Sequence, residues 1–211
     1  LLTKRDGIEA ARHYLQEAQA AEGDEPDTKT ALILVEAQIL RNANALDEAL
    51  NLLSQAVDSN PEAADLFYDR AMVAEKLNRL DLFEADLRRV IQLKPDQANA
   101  YNALGYTLAD RNVRLMEAYE LIQTAIGISP DDASIRDSLG WVQFRLGQLK
   151  EAKATLNAAY QTRQDPEIAA HLGEVLWALG QQEEARKLWQ NALQESPGND
   201  ALTSIIEKYR H

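Results

Sequence analysis

An all-α fold, a right-handed superhelical solenoid of antiparallel helix pairs, is what this sequence predicts, and three observations carry the prediction. First, small residues flank an apolar one at a fixed spacing: Ala49, Leu53, Ala56; Ala118, Ile122, Ala125; Ala152, Leu156, Ala159; Ala185, Trp189, Ala192. Positions i, i+4 and i+7 share a helix face, so each triad is one buried stripe. Second, a preceding helix carries a small residue where two axes approach closely, at Ala37, Ala71, Gly105, Gly140 and Gly173, in steps of 34, 34, 35 and 33. A glycine inside a helix costs about 1 kcal/mol against alanine, so three in one slot point to tight packing there. Third, Pro61, Pro95, Pro130 and Pro197 fall where a second helix stops and the next pair begins, with Pro166 two residues beyond its place in that rhythm.

The elements follow in order. Residues 6–20 read as a lone second helix of a truncated repeat, with Ala11, Leu15 and Ala18 as its triad. Glu22 to Lys29 is an acidic, proline-containing loop. Five complete repeats are expected at 30–63, 64–97, 98–132, 133–165 and 166–198, each a small-residue helix followed by a triad helix. The second carries Phe83, Leu87 and Val90, with a ring in a slot that is otherwise small. The third holds a one-residue insertion within Asp110 to Arg114. Surface loops tolerate such insertions at little cost, which is the ordinary reading of both loops. Residues 199–211 form a capping helix: Asn199 or Asp200 begins it, and Leu202, Ile205, Ile206 and Tyr209 share a stripe opposite Thr203, Glu207 and Lys208.

The spacing, with its small–aromatic–small–proline pattern and a period near 34, is similar to the tetratricopeptide repeat (TPR). The chain of 211 residues is 45% hydrophobic but only 6% aromatic, as suits helix packed on helix. Its formal net charge of −12 would repel nucleic acid and anionic membrane surfaces, so neither is an expected partner. With no cysteine, disulfides and thiolate metal sites are excluded, and the redox compartment is left open. No run reaches the length of a membrane span, and the sequence opens at Leu1 without a basic-then-apolar leader, so it reads as part of a longer protein.

In a curved stack, each first helix turns one stripe to its partner and another to the inner wall of a groove. In the third repeat Tyr101, Leu104, Gly105 and Leu108 face the partner, leaving Asn99, Asn102 and Tyr106 for the groove. The same slots give Tyr68 and Met72 in the second repeat, Asp137, Trp141 and Phe144 in the fourth, and His171, Glu174 and Trp177 in the fifth. Nine residues make up the expected peptide-binding groove: Tyr68, Met72, Asn99, Asn102, Tyr106, Asp137, Trp141, Phe144 and Trp177. Aromatic and methionine enrichment with few lysines is the composition of an interface core. Phe144 and Trp177 fit packing between neighbouring repeats equally well. The asparagines can donate to and accept from a peptide backbone, which suits an extended segment.

Chemistry beyond binding is not expected. His171 with Glu167 and Glu174 imitates a metal cluster, but the spacing matches no zinc helix, and a solvated or stacked imidazole is the better reading. Asp131 and Asp132 suit a helix start, where the dipole favours negative charge. No phosphate loop or nucleophile set emerges, so no enzyme, cofactor or metal is expected.

Finer similarity lies in the strings from Leu87 to Pro95, Asn102 to Arg111, Asp137 to Gly147 and Ala169 to Gly180. They resemble the C-terminal part of Gram-negative outer-membrane TPR lipoproteins of the LbcA type. That resemblance implies a periplasmic adaptor, anchored through a lipoprotein signal upstream, that binds a carboxyl-terminal processing protease and cell-wall hydrolase substrates. It carries over no binding residues. The alternatives are the TPR arm of a larger enzyme such as a glycosyltransferase, which needs a catalytic domain elsewhere, and a cytosolic co-chaperone, whose carboxylate-clamping cations are missing at Tyr68, Met72, Ala103, Ser134 and Ser138.

Overall fold

The computed structural model describes residues 9–10, 12–15, 17 and 26–209, and every regular element among them is helical. Eleven helices are bounded: α1 (Pro26–Asn42), α2 (Leu46–Ser59), α3 (Ala64–Lys76), α4 (Leu80–Leu93), α5 (Ala98–Asp110), α6 (Leu115–Ile128), α7 (Ala133–Arg145), α8 (Leu149–Thr162), α9 (Pro166–Ala178), α10 (Gln182–Glu195) and α11 (Asp200–Lys208). Odd-numbered helices are the first of each pair and even-numbered the second. Two compact units result, residues Leu1–Asp96 with α1 to α4 and Gln97–His211 with α5 to α11. Inside each unit a first helix packs on its own second helix and on the next first helix, and the second helix packs on the following first helix.

Why a pair closes so tightly is visible at the glycines. A Cβ on Gly105 would stand 2.7 Å from Ile122 Cγ1, one on Gly140 would strike Leu156, and one on Gly173 would strike the Trp189 indole. Each second helix thus drives the centre of its triad into the bare backbone of its partner. Every triad from Ala49 to Ala192 is buried, and Phe83 is accommodated at 1% exposure.

The turn within each pair is the same device five times. Asn44, Asn78, Asn112, Gly147 and Gly180 have φ of 60°, 56°, 56°, 78° and 79°. Each left-handed residue bonds back to the carbonyl three residues earlier, and its successor to the carbonyl five earlier, as in Asn44 N–H to Arg41 O and Ala45 N–H to Leu40 O. This double closure satisfies carbonyls that a helix end leaves open, and glycine or asparagine is what tolerates the backbone. The insertion falls directly after the third of these turns, where Arg114 is also left-handed at φ 46°.

One boundary differs from what the spacing suggests. Among the described residues α1 runs from Pro26 rather than from near Thr30, at least a turn longer than the spacing suggests. Pro166 is likewise the first residue of α9, capped by Asp165, whose carboxylate accepts the Glu167 N–H at 2.9 Å. It therefore starts a helix where Pro61, Pro95, Pro130 and Pro197 mark a turn. Residues 9–10, 12–15 and 17 are helical, but Ala11 and Ala18 of the first triad lie outside the described residues, as do Glu22 to Glu25 and His211. Leu15 is buried, and Arg12 donates to Glu36 on α1 at 3.0 Å and to Glu48 on α2 at 2.7 Å. At the other end Asn199 accepts the Leu202 N–H at 2.9 Å, and Leu202 is fully buried.

Candidate functional site

In the first unit the exposed stripe of the first helices runs through α1 and α3. Tyr68 and Met72 are half-buried there, and Arg41 on α1 donates to Asp69 on α3 at 3.3 Å. Burial raises the pKa of Tyr68 and Glu75, and it raises that of Asp69 against the opposing pull of Arg41. Gln38 spends its amide N–H on Asn42 of its own helix.

The second unit is denser. On α5, Asn99 is exposed while Asn102 and Tyr106 are half-buried. On α7, Asp137 is 7% and Trp141 5% exposed. His171 on α9 joins the three helices. Its Nδ1 donates to both oxygens of Asp137, at 2.9 and 3.0 Å. Its ring stacks on Trp141 with centroids 4.3 Å apart and lies 6.1 Å from Tyr106. Arg145 holds its guanidinium 5.5 Å from the Trp141 ring centre, and Phe144 lies 5.2 Å from that ring. The Trp141 indole N–H and Asn102 Oδ1 are buried with no hydrogen-bond partner among the described residues.

Further along, α11 docks on α9. Glu174, 6% exposed, accepts from Lys208 Nζ at 2.7 Å and Tyr209 OH at 2.9 Å. Trp177 stands 4.8 Å from the Tyr209 ring and 6.0 Å from Trp189, under the guanidinium of Arg186 at 5.0 Å. Among the described residues no group of three or more His, Asp and Glu is placed to hold a metal ion, and no helix is long and apolar enough to cross a membrane.

Several groove positions therefore differ from what spacing suggests. Trp141 is not a free groove side chain: the imidazole of the next repeat covers it. Trp177 packs beneath α11, and Phe144 packs on Trp141 and the core around Leu156 and Trp189, which is the packing alternative for both. His171 is stacked, as its isolation in the sequence suggests, yet it is the centre of the cluster and not a bystander. A signal for it exists: Asp137 and His171 are 34 positions apart, one repeat, as are Glu174 and Lys208, so the period itself brings them together.

Two expectations arise here. Trp141→Phe keeps the stacked ring and removes a buried donor that has no partner, so the loss of packing and the relief of that donor offset; thermal unfolding should show a change within about 1 kcal/mol. The second concerns pH. Burial of His171 by itself lowers its pKa, but the Asp137 hydrogen bond and the charges of Asp137, Glu174 and Glu167 outweigh it, leaving the pKa above the ordinary histidine value. A raised folded-state pKa means stability fully present below about 6.5 and lost as pH rises through the folded-state value. His171→Asn should flatten that fall in melting temperature above about pH 6.5; a variant with the same slope as the parent would contradict it.

Sequence comparison places this architecture among known proteins. The tetratricopeptide repeat family matches residues 34–98 and 114–175. A TPR repeat-containing protein of Pseudomonas aeruginosa is 43% identical over 174 residues, covering 82% of this chain but 29% of its own length. A solved tetratricopeptide repeat protein from Parabacteroides merdae superposes with a TM-score of 0.82 at 16% identity, covering 98% of this chain and 80% of that one. YrrB, described as a TPR protein with an unusual peptide-binding site, superposes at 0.63 with 17% identity, covering 90% and 97%. The chain thus spans less than a third of the Pseudomonas protein's length.

Proposed function

The chain belongs to the tetratricopeptide repeat family, and from that premise we propose that it is a non-catalytic scaffold which holds protein partners on the first-helix faces of its units. The observation that carries the proposal is the second unit's wall of Asn102, Tyr106, Asp137, Trp141 and His171, drawn from three successive first helices. It is aromatic and poor in lysine, with buried polar atoms still unmatched, whereas a merely solvated helix face is covered by Glu and Lys. The peptide-binding site described for YrrB supports reading such a wall as a seat for an extended segment.

The finer reading is a periplasmic adaptor anchored at the outer membrane through a lipoprotein signal, which brings cell-wall hydrolases to a carboxyl-terminal processing protease. It rests on the resemblance to the LbcA-type lipoproteins and on the 43% identity to a Gram-negative TPR protein. The test is coprecipitation of the full-length protein from its native envelope. The protease and its substrates should be recovered with the parent and depleted with Tyr106→Ala, whose half-exposed ring contributes to partners more than to the core. Recovery of cytosolic chaperones alone would overturn the adaptor reading. Unaltered recovery with Tyr106→Ala would overturn this face as the seat.

A further inference from the structure

Asp137 aims both carboxylate oxygens at a single ring nitrogen of His171. One N–H divided between two acceptors leaves the carboxylate under-used, whereas a guanidinium presents two parallel N–H groups to the same pair of oxygens. The faces around the imidazole suit a planar cation equally well. Trp141 is stacked on one side at 4.3 Å and Tyr106 lies 6.1 Å away, and Trp141 already carries the Arg145 guanidinium over its ring at 5.5 Å. The buried Trp141 N–H, with no partner among the described residues, is a donor left over for a backbone carbonyl. The surroundings are acidic, on a chain of net charge −12.

We infer that the Asp137–Trp141–Tyr106 slot takes the arginine side chain of an extended partner segment, and that His171 is the built-in occupant which this arginine displaces. The inference rests on the scaffold reading and gives that face its partner chemistry, a basic segment. Competition by His171 depends on pH. The groups around it are Asp137 on α7, Glu167 and Glu174 on its own α9 and Tyr106 on α5; behind them Arg145 of α7 lies over the Trp141 ring, and Lys208 of α11 and Tyr209 just after it hold Glu174. An uncharged imidazole gives up Asp137 more readily, so arginine binding tightens as pH rises.

The test uses the 211-residue chain and a short acetylated, amidated alanine–serine peptide with one central arginine, beside the same peptide with glutamine. Binding is followed by calorimetry and by tryptophan fluorescence, with circular dichroism to confirm folding. At about pH 6, His171→Ala should bind the arginine peptide about tenfold more tightly than the parent, the scale of a desolvated cation–π contact. Parent affinity should rise toward that of the variant by about pH 8.5, above the histidine range. Adding Asp137→Asn should abolish the gain, and the glutamine peptide should bind none of them. His171→Gln, which keeps most of the side-chain volume, should give the same ordering if the alanine variant fails to fold. Equal binding of both peptides, or no arginine-peptide binding by any variant, would overturn the slot. Partner recovery that depends on Tyr106 would then still stand, since it requires no arginine.

Discussion

Trp189→Ala is expected to destabilise the second unit by about 3–5 kcal/mol, the range for emptying a large aromatic site in a core. Trp189 is 1% exposed, and its indole lies against the backbone of Gly173. It donates its N–H to Ala170 O at 3.3 Å and stacks with Tyr209 at 5.4 Å. Removal empties a cavity that two helices and the capping helix line together, and backbone on one side cannot collapse into it. Gly173→Ala approaches the same contact from the other helix: its methyl group would meet Trp189 Nε1 and Cε2 below any real contact distance. It should destabilise by about 1–3 kcal/mol by overpacking. Thermal or denaturant unfolding of both, with the double variant, measures their coupling. Simple additivity would mean that the two sites do not share one contact, contrary to the geometry.

Arg70→Ala should be comparably severe in the first unit. The guanidinium forks onto Asp86 through Nε at 2.8 Å and Nη2 at 2.7 Å, joining α3 to α4. Their side chains are 13% and 3% exposed. Removing one partner strands a buried charge, which costs about 3–5 kcal/mol in such pairs. Burial raises the Asp86 pKa even with Arg70 present, and without the guanidinium the carboxyl is raised further. A carboxyl with a raised folded-state pKa destabilises increasingly as pH climbs from its unfolded value of about 3.9 toward the folded one, so the deficit should be largest near neutrality and shrink in acid. Denaturant titrations at neutral and mildly acid pH check this. Arg70→Met with Asp86→Leu should recover most of the loss, because a well-packed apolar pair replaces a buried ion pair at little cost.

Much of the scaffold was legible because a repeat makes the sequence state each contact several times. The triads and the glycine slot specify which faces meet, and Trp189 lies against Gly173 as that pattern requires. The five left-handed turns at Asn44, Asn78, Asn112, Gly147 and Gly180 were equally available, since they step by the same 34, 34, 35 and 33, but asparagine and glycine in one slot look unlike each other until the shared φ is known. The candidate groove was less legible. Helical spacing shows which way Trp141 points and is silent about what the next repeat lays over it. The cover, His171, is among the positions carried from repeat to repeat, but its reach back to Asp137 is a property of side-chain length that spacing does not show. Trp177 misled for a similar reason. Its slot, like that of Phe144 one repeat earlier, fits groove and packing alike, and here α11 arrives on it with Tyr209.

The pattern of packing has a kinetic side. Among the described residues each helix in a unit packs mainly on its own partner and the helices of the adjoining pair, so most contacts between helices close a short stretch of chain. Loops that close cheaply form early, which places folding of these hairpins toward the microsecond-to-millisecond end of the range. The same locality weakens all-or-none behaviour, because a hairpin can open while its neighbours hold, as in other linear arrays. Native-state hydrogen exchange should therefore show stepped protection along the sequence, with the amides beside the Gly140–Leu156 and Gly173–Trp189 contacts exchanging last and those near the ends of each unit first.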